Sequence, residues 1–231
     1  MTVARPGILA IFNNVAPGRE AEFEQWFQHE HLQERLGVPG FLLGRRYEAV
    51  KGDRRYFNLY VTRSAEVLSS ADYRMRLNNP TPMTRLVMSE IFKDMIRTIC
   101  HQSLRLGTMR GAFAVATRFS ERPDENALKS TLERLLQDSA VACGEIWSAA
   151  RMDQLPPSEE ERLRGGDRRI EACLMVETLR GQEAERIAEA LSVQVPAARI
   201  GVYRLLCDIG RSPDAASNGH LVNPATRSTK P

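Results

Sequence analysis

Short apolar runs and helical patterns alternate along the chain in an order that occurs twice. Each half opens on an apolar run of strand character, continues through a turn signal into a helical pattern, and closes on another short strand. The matched segments are residues 7–12 and 111–116, 21–36 and 126–136, and 97–100 and 204–207. Three weak matches in the same order indicate an internal repeat.

Two further strands and a second helix are predicted inside each half. They cover residues 40–49, 55–62 and 64–95 in the first half, and 143–152, 169–178 and 182–191 in the second. A long acidic loop at residues 156–161, expected to be mobile, joins the two inner strands of the second half. Each half therefore has the order β-α-β-β-α-β, which is typical of a ferredoxin-like unit.

Such a unit leaves one face of its sheet uncovered by its own helices. Two copies in one chain can bury these faces against each other. We therefore predict an α+β fold in which two fused ferredoxin-like β-α-β-β-α-β repeats form an α+β barrel. Residues 1–109 are predicted to carry the chemistry, residues 110–210 to act as a scaffold, and residues 211–231 to form a C-terminal tail.

Composition excludes several classes of protein. The 231 residues are 42% hydrophobic and 26% charged, as in ordinary globular proteins. The net charge of +3 comes from interleaved Arg and acidic residues, which does not favour nucleic acid. No apolar run approaches the roughly 20 residues of a membrane span, and the first residues lack a signal-peptide pattern, so we expect a cytoplasmic protein. The four cysteines lack ligand spacing, so no metal site is expected.

The first predicted helix carries a recognisable motif. Residues 23–35 read Phe-Glu-Gln-Trp-Phe-Gln-His-Glu-His-Leu-Gln-Glu-Arg, and a Gly-Val-Pro-Gly-Phe turn follows at 37–41. This stretch resembles the aromatic-rich helix and following His of the dimeric α+β barrel superfamily, particularly its EthD-like branch. The resemblance covers most of residues 7–107. It implies the fold and leaves the reaction open, because the superfamily includes muconolactone isomerases, polyketide cyclases and dehydratases, heme-degrading monooxygenases and proteins without known activity.

Within that helix His31 is the first candidate for acid-base chemistry. Phe23, Trp26 and Phe27 share one face of a helix, and His31 follows four residues after Phe27. Histidine titrates nearest neutral pH and is the commonest catalytic acid or base. A capping or fully packed core histidine is an equal alternative. His29 points about 200° away around the helix and is expected to be exposed.

Polar residues on the predicted strands suggest a binding pocket. Alternation sends one of Arg45 and Arg46 toward the barrel interior, where it would bind an anion or join a buried ion pair, and the pattern favours Arg45. Tyr56, Asn58 and Tyr60 share one face of the next strand. They would line a polar pocket, or else an exposed outer face of the sheet.

Two other segments are placed at the pocket mouth. Asn13 ends the first strand, near the point where it joins the first helix. Residues 78–85, which include Asn79 and Arg85, contain two prolines and resemble a lid or pocket rim. The alternative is that Asn-Pro stops one helix before another begins.

The predicted site combines these residues. The catalytic candidates are His31, Tyr60 and Asn13. The candidates for substrate binding are Arg45, Arg46, Arg85, Trp26, Tyr56, Asn58 and Asn79. The arginines stay protonated and can bind carboxylates in bidentate fashion.

These residues predict a cofactor-independent isomerase or lyase that acts by proton transfer on a small, carboxylated, unsaturated compound, such as an aromatic ring-cleavage product. The sequence lacks a nucleotide-binding glycine motif and a nucleophile-base pair, which agrees with this chemistry. One alternative is a non-catalytic ligand-binding or assembly protein, and another is a heme-binding monooxygenase with His31 or His101 as the iron ligand. The expected partner is a small anionic substrate, with no nucleic acid, membrane or cofactor, and homodimer formation is left open.

Overall fold

The structure is a computed structural model that describes residues 5–152 and 155–210. Its strands are β1 Gly7–Val15, β2 Phe41–Lys51, β3 Tyr56–Thr62, β4 Phe92–Leu106, β5 Phe113–Phe119, β6 Val141–Ala149, β7 Ala172–Thr178 and β8 Arg199–Gly210. Its α-helices are α1 Glu20–Trp26, α2 Leu32–Leu36, α3 Ala71–Asn78, α4 Pro82–Leu86, α5 Glu125–Leu135, α6 Glu159–Leu163 and α7 Gly181–Gln194. Shorter helical turns are the π turns Phe27–His31 and Val87–Ile91 and the 3₁₀ turn Ala65–Ser69. No helix among the described residues has the length and apolar character needed to cross a membrane.

The strands close into one barrel in the order β1-β3-β2-β8-β5-β7-β6-β4. The first repeat contributes β4-β1-β3-β2 and the second contributes β8-β5-β7-β6, so both sheets have the same ferredoxin-like order. Antiparallel pairing of β2 with β8 and of β4 with β6 joins the two sheets. The predicted fold class is confirmed. The predicted tail at 211–231 lies outside the described residues.

Side chains alternate between the barrel interior and an outer layer under the helices. On β1, Ile8 and Phe12 pack inside the barrel, whereas Leu9 and Ile11 pack against the helices of the first repeat. Helices α5 and α7 cover the sheet of the second repeat through a separate, largely aliphatic layer. The fold therefore has three apolar layers, and the first-repeat layer is the one that contains His31.

Several elements differ from the sequence prediction. Strand β4 begins at Phe92 rather than at residue 97, directly after the π turn Val87–Ile91, and β8 begins at Arg199 rather than at residue 204. The predicted acidic loop overlaps helix α6, and the Ser158 hydroxyl accepts the Glu161 backbone N–H as an N-cap. This helix reaches across to the first repeat, where it helps to close the site.

Candidate functional site

A small cavity lies between the sheet and the helices of the first repeat. It has a volume of about 20 Å³, and His31, Arg35, Tyr60 and Arg97 are among its polar walls. Apolar side chains of β1, β4 and the π turn Val87–Ile91 line much of the rest. The space holds about one water molecule. A larger molecule enters the cavity only if the walls move.

The π turn Phe27–His31 aims His31 into this cavity. Trp26 and His31 are five residues apart and would lie about 140° apart on a regular α-helix. In the wider turn their rings pack against each other instead, with centroids 4.2 Å apart and planes tilted by 32°. The Tyr60 ring lies edge-on to His31 at 6.4 Å, and His31 is 5% exposed. The turn therefore converts two separate helix positions into one aromatic wall, as π turns often do at functional sites.

A hydrogen bond to α4 fixes Trp26. Its indole Nε1 donates to Thr84 Oγ1 at 2.9 Å, and the Thr84 hydroxyl donates to Glu30 Oε1 at 2.8 Å. Gly44 on β2 lets α2 approach the sheet, since a Cβ there would lie 2.7 Å from Leu32 Cδ1. The aromatic partner of His31 is thus held by both its own helix and α4.

The cavity keeps His31 neutral. Burial, together with the positive charges of Arg35 and Arg164, holds the pKa of His31 well below its ordinary value of 6.5. Burial therefore outweighs the tendency of a helix C-terminus to favour imidazolium. Nδ1 of His31 is buried and has no hydrogen-bond partner among the described residues. The imidazole can therefore accept a proton at neutral pH, although its lowered pKa makes it a weaker base than a free histidine.

Two potential donors share the cavity with His31. Burial raises the pKa of Tyr60 against the opposing charge of Arg35, so the phenol stays protonated. Burial lowers the pKa of Arg35, but Glu160 and Tyr73 raise that pKa by more, so the guanidinium stays charged. Tyr60 Oη and Arg35 Nη1 are both buried and unpartnered within the described part of the chain. Both can donate to a developing oxyanion.

The second repeat contributes to this site through α6. The buried carboxylate of Glu160 pairs with Arg35 across the two repeats. Arg164 lies 3.7 Å from Glu160 and 2.9 Å from Asp167, and it lines the same cavity. The side chains of this network are 2–4% exposed. Helix α6 is thus an electrostatically anchored wall of the first-repeat site.

The three predicted anion-binding arginines already have carboxylate partners. Arg45 points into the barrel, as alternation favoured, and pairs with the buried Glu177. Arg46 points to the helix side, where Nη1 and Nη2 each lie 2.6 Å from a Glu24 oxygen. Arg85 is exposed and lies 2.9 Å from Glu159. None of the three lines the His31 cavity, so their role in anion binding stays a prediction.

The other predicted site residues on the strands and the first helix lie in three places. Tyr60 and Trp26 meet His31, whereas Asn13 and Asn58 are buried beside each other, with Asn58 Nδ2 donating to Asn13 Oδ1 at 3.2 Å. Tyr56 Oη lies 3.4 Å from Glu24 Oε1, beside Arg46.

Segment 78–85 follows the helix-stop alternative: α3 ends at Asn78 and α4 begins at Pro82. The exposed Asn79 donates to the Met75 carbonyl at 2.8 Å. Asn79 therefore caps the C-terminal end of α3. Its role in substrate binding stays a prediction.

Sequence reasoning missed Arg35, Tyr73, Arg97, Glu160 and Arg164. Arg35 had a local signal, because it follows His31 by four residues. Glu160 had none, since it is 125 residues from its partner Arg35.

The structure separates the two histidines considered as heme ligands, and their role in binding heme stays a prediction. His31 faces the cavity of about 20 Å³. His101 lies on β4 opposite Gly7 and Ser148, outside this cavity. The described residues also hold no cluster of three His, Cys, Asp or Glu side chains placed to bind a metal ion.

Comparison with protein-family models and with curated sequences finds no match. Solved structures are similar over nearly the whole chain. An anthrone oxidase-like protein has a TM-score of 0.56 at 13% identity, covering 89% of this chain and 93% of its own. A candidate monooxygenase from Fusobacterium nucleatum has a TM-score of 0.56 at 11% identity, covering 91% and 96%. A candidate chlorite dismutase has a TM-score of 0.52 at 13% identity, covering 88% and 96%.

The chain has an α+β fold with an eight-stranded barrel, and these solved structures are similar to it in fold. The likenesses show the fold alone, because all three identities are low. Membership of the EthD-like branch stays a prediction.

Proposed function

We propose that the protein is an enzyme that moves a proton on a small unsaturated compound, with His31 as the base. One observation carries the proposal: three buried polar atoms without partners among the described residues belong to the walls of one cavity. They are His31 Nδ1, Arg35 Nη1 and Tyr60 Oη. Buried polar groups ordinarily have partners, so a cluster without them is suited to a ligand that supplies them.

Each group has a distinct role in this chemistry. The neutral His31 removes a proton from a carbon next to a carbonyl, and the Tyr60 hydroxyl and Arg35 guanidinium donate to the enolate oxygen that forms. The Trp26 ring packed against it fixes the imidazole. If the proton returns to another carbon of the enolate, the reaction is an isomerisation. If the enolate expels a leaving group, the reaction is that of a lyase. The proposed substrate is a small, carboxylated, unsaturated compound such as an aromatic ring-cleavage product.

Oxygenation is a second candidate that begins with the same step. The names of two fold neighbours, an anthrone oxidase-like protein and a candidate monooxygenase, favour it. Deprotonation of an activated CH₂ group gives a carbanion that can react with dioxygen. One CH₂ group and one O₂ then give one carbonyl group and one water, with the carbon as reductant. Consumption of dioxygen distinguishes this outcome from isomerisation.

The test is hydrogen exchange in D₂O, followed by NMR, with a panel of enolisable unsaturated and aromatic compounds. His31→Gln should lower the exchange rate about 10²–10⁴-fold, since it removes the general base. His29→Gln is the matched control, because His29 is exposed and lies two residues away. Exchange by the wild type should persist as the pH falls through 6.5, because His31 stays neutral there.

Tyr60→Phe removes one hydroxyl that has no partner among the described residues, so it should preserve folding while slowing exchange about tenfold or more. Full exchange by folded His31→Gln would exclude His31 as the base. Absence of exchange across the panel would instead favour the non-catalytic ligand-binding alternative.

A further inference from the structure

A second, larger cleft lies where the two repeats meet. Its volume is about 760 Å³, and it runs between α3 and β4 of the first repeat and the segments 149–152, 155–161 and 169–171 of the second. This volume is within the usual range of sites that bind small molecules. The cleft carries none of the residues given a role in proton transfer.

The charged residues that line the cleft are mostly cationic. They are Arg74, Arg97, Arg151, Arg169, Glu161 and Glu171, four arginines against two glutamates. Its apolar lining residues include Leu77, Ile99 and Ile170.

Arg97 differs from the other buried arginines of the protein. Arg35, Arg45, Arg46 and Arg118 each contact a carboxylate. Arg97 is half-buried, and within the described ranges its side chain has only the Tyr73 hydroxyl as an acceptor, at 3.0 Å. Although burial opposes its charge, Tyr73 and Asp167 raise the pKa of Arg97, so it stays protonated. A half-buried charge without a bonded counterion is unfavourable unless a ligand completes it.

We propose that this cleft binds a small organic carboxylate, whose carboxyl group meets Arg97 and whose apolar body lies along Leu77, Ile99 and Ile170. Arg169, on the second-repeat side, supplies further positive charge. Guanidinium matches a carboxylate in bidentate geometry, and partial burial strengthens the contact. Arg97 also lines the His31 cavity, but binding in the cleft requires no turnover there.

Calorimetric titration of the full chain tests the proposal, with benzoate, phenylacetate and hexanoate as probes. At least one should bind with a Kd below about 10 mM, and Arg97→Gln should weaken it about tenfold or more. Neutral benzamide should bind about tenfold more weakly than benzoate for the same reason. Arg180→Gln is the matched control, since it removes one exposed positive charge outside the cleft and should leave binding unchanged.

Several results would overturn the proposal. These are no binding by any probe, equal binding by Arg97→Gln, and binding of inorganic phosphate as tight as that of the carboxylates, which would remove the apolar requirement. If Arg97→Gln does not fold, Arg169→Gln replaces it, because Arg169 is exposed. That variant should weaken carboxylate binding about threefold, and unchanged affinity would contradict the proposed site.

Discussion

The two repeats build the same layer, between sheet and helices, in different ways. In the second repeat, Leu128 and Leu132 of α5 meet Ile187 and Leu191 of α7 in an aliphatic core. In the first repeat, aromatic rings surround the buried His31, and a charged network closes the cavity. Placing polar groups in a layer that can be purely apolar costs free energy. The difference therefore points to function in the first repeat, supported by a wall from the second.

The largest effect is expected at the contact between the repeats. Glu160→Gln leaves the buried Arg35 charge without its partner, so we expect the free energy of unfolding to fall by about 3–5 kcal/mol. Glu159→Gln is the matched control, because it breaks the exposed pair with Arg85 and should cost about 0–1 kcal/mol. Urea denaturation measures both. Equal losses would contradict the view that α6 is anchored through Glu160.

The apolar layer of the second repeat should affect stability alone. Leu132 is fully buried, so Leu132→Ala should lower the free energy of unfolding by about 2–5 kcal/mol. The hydrogen-exchange rate per folded molecule should not change, in contrast to the expected behaviour of Tyr60→Phe. A large loss of exchange activity in folded Leu132→Ala would mean that both layers take part in the chemistry.

Much of the fold was predictable, because periodicity and the repeated order of elements are local signals. Alternation likewise favoured an inward Arg45, but its partner Glu177 is 132 residues away and no local pattern announces it. No local pattern announces the pairing of Glu160 with Arg35 either, because the sequence predicts an acidic loop for the segment that contains Glu160.

His31, which the sequence analysis singled out, lines the cavity, and its catalytic role stays a prediction. Its packing against Trp26 depends on the π turn, which a regular helical periodicity does not predict.

The most direct test of the account is an NMR titration of the His31 side chain, assigned by comparison with His31→Gln. The pKa of His31 should lie well below 6.5, because burial and the charges of Arg35 and Arg164 disfavour imidazolium. Arg35→Met should raise that pKa, since it removes a positive charge and leaves the Glu160 carboxylate nearby. A His31 that titrates at or above pH 6.5 in the native protein would contradict the neutral base on which the proposed function rests.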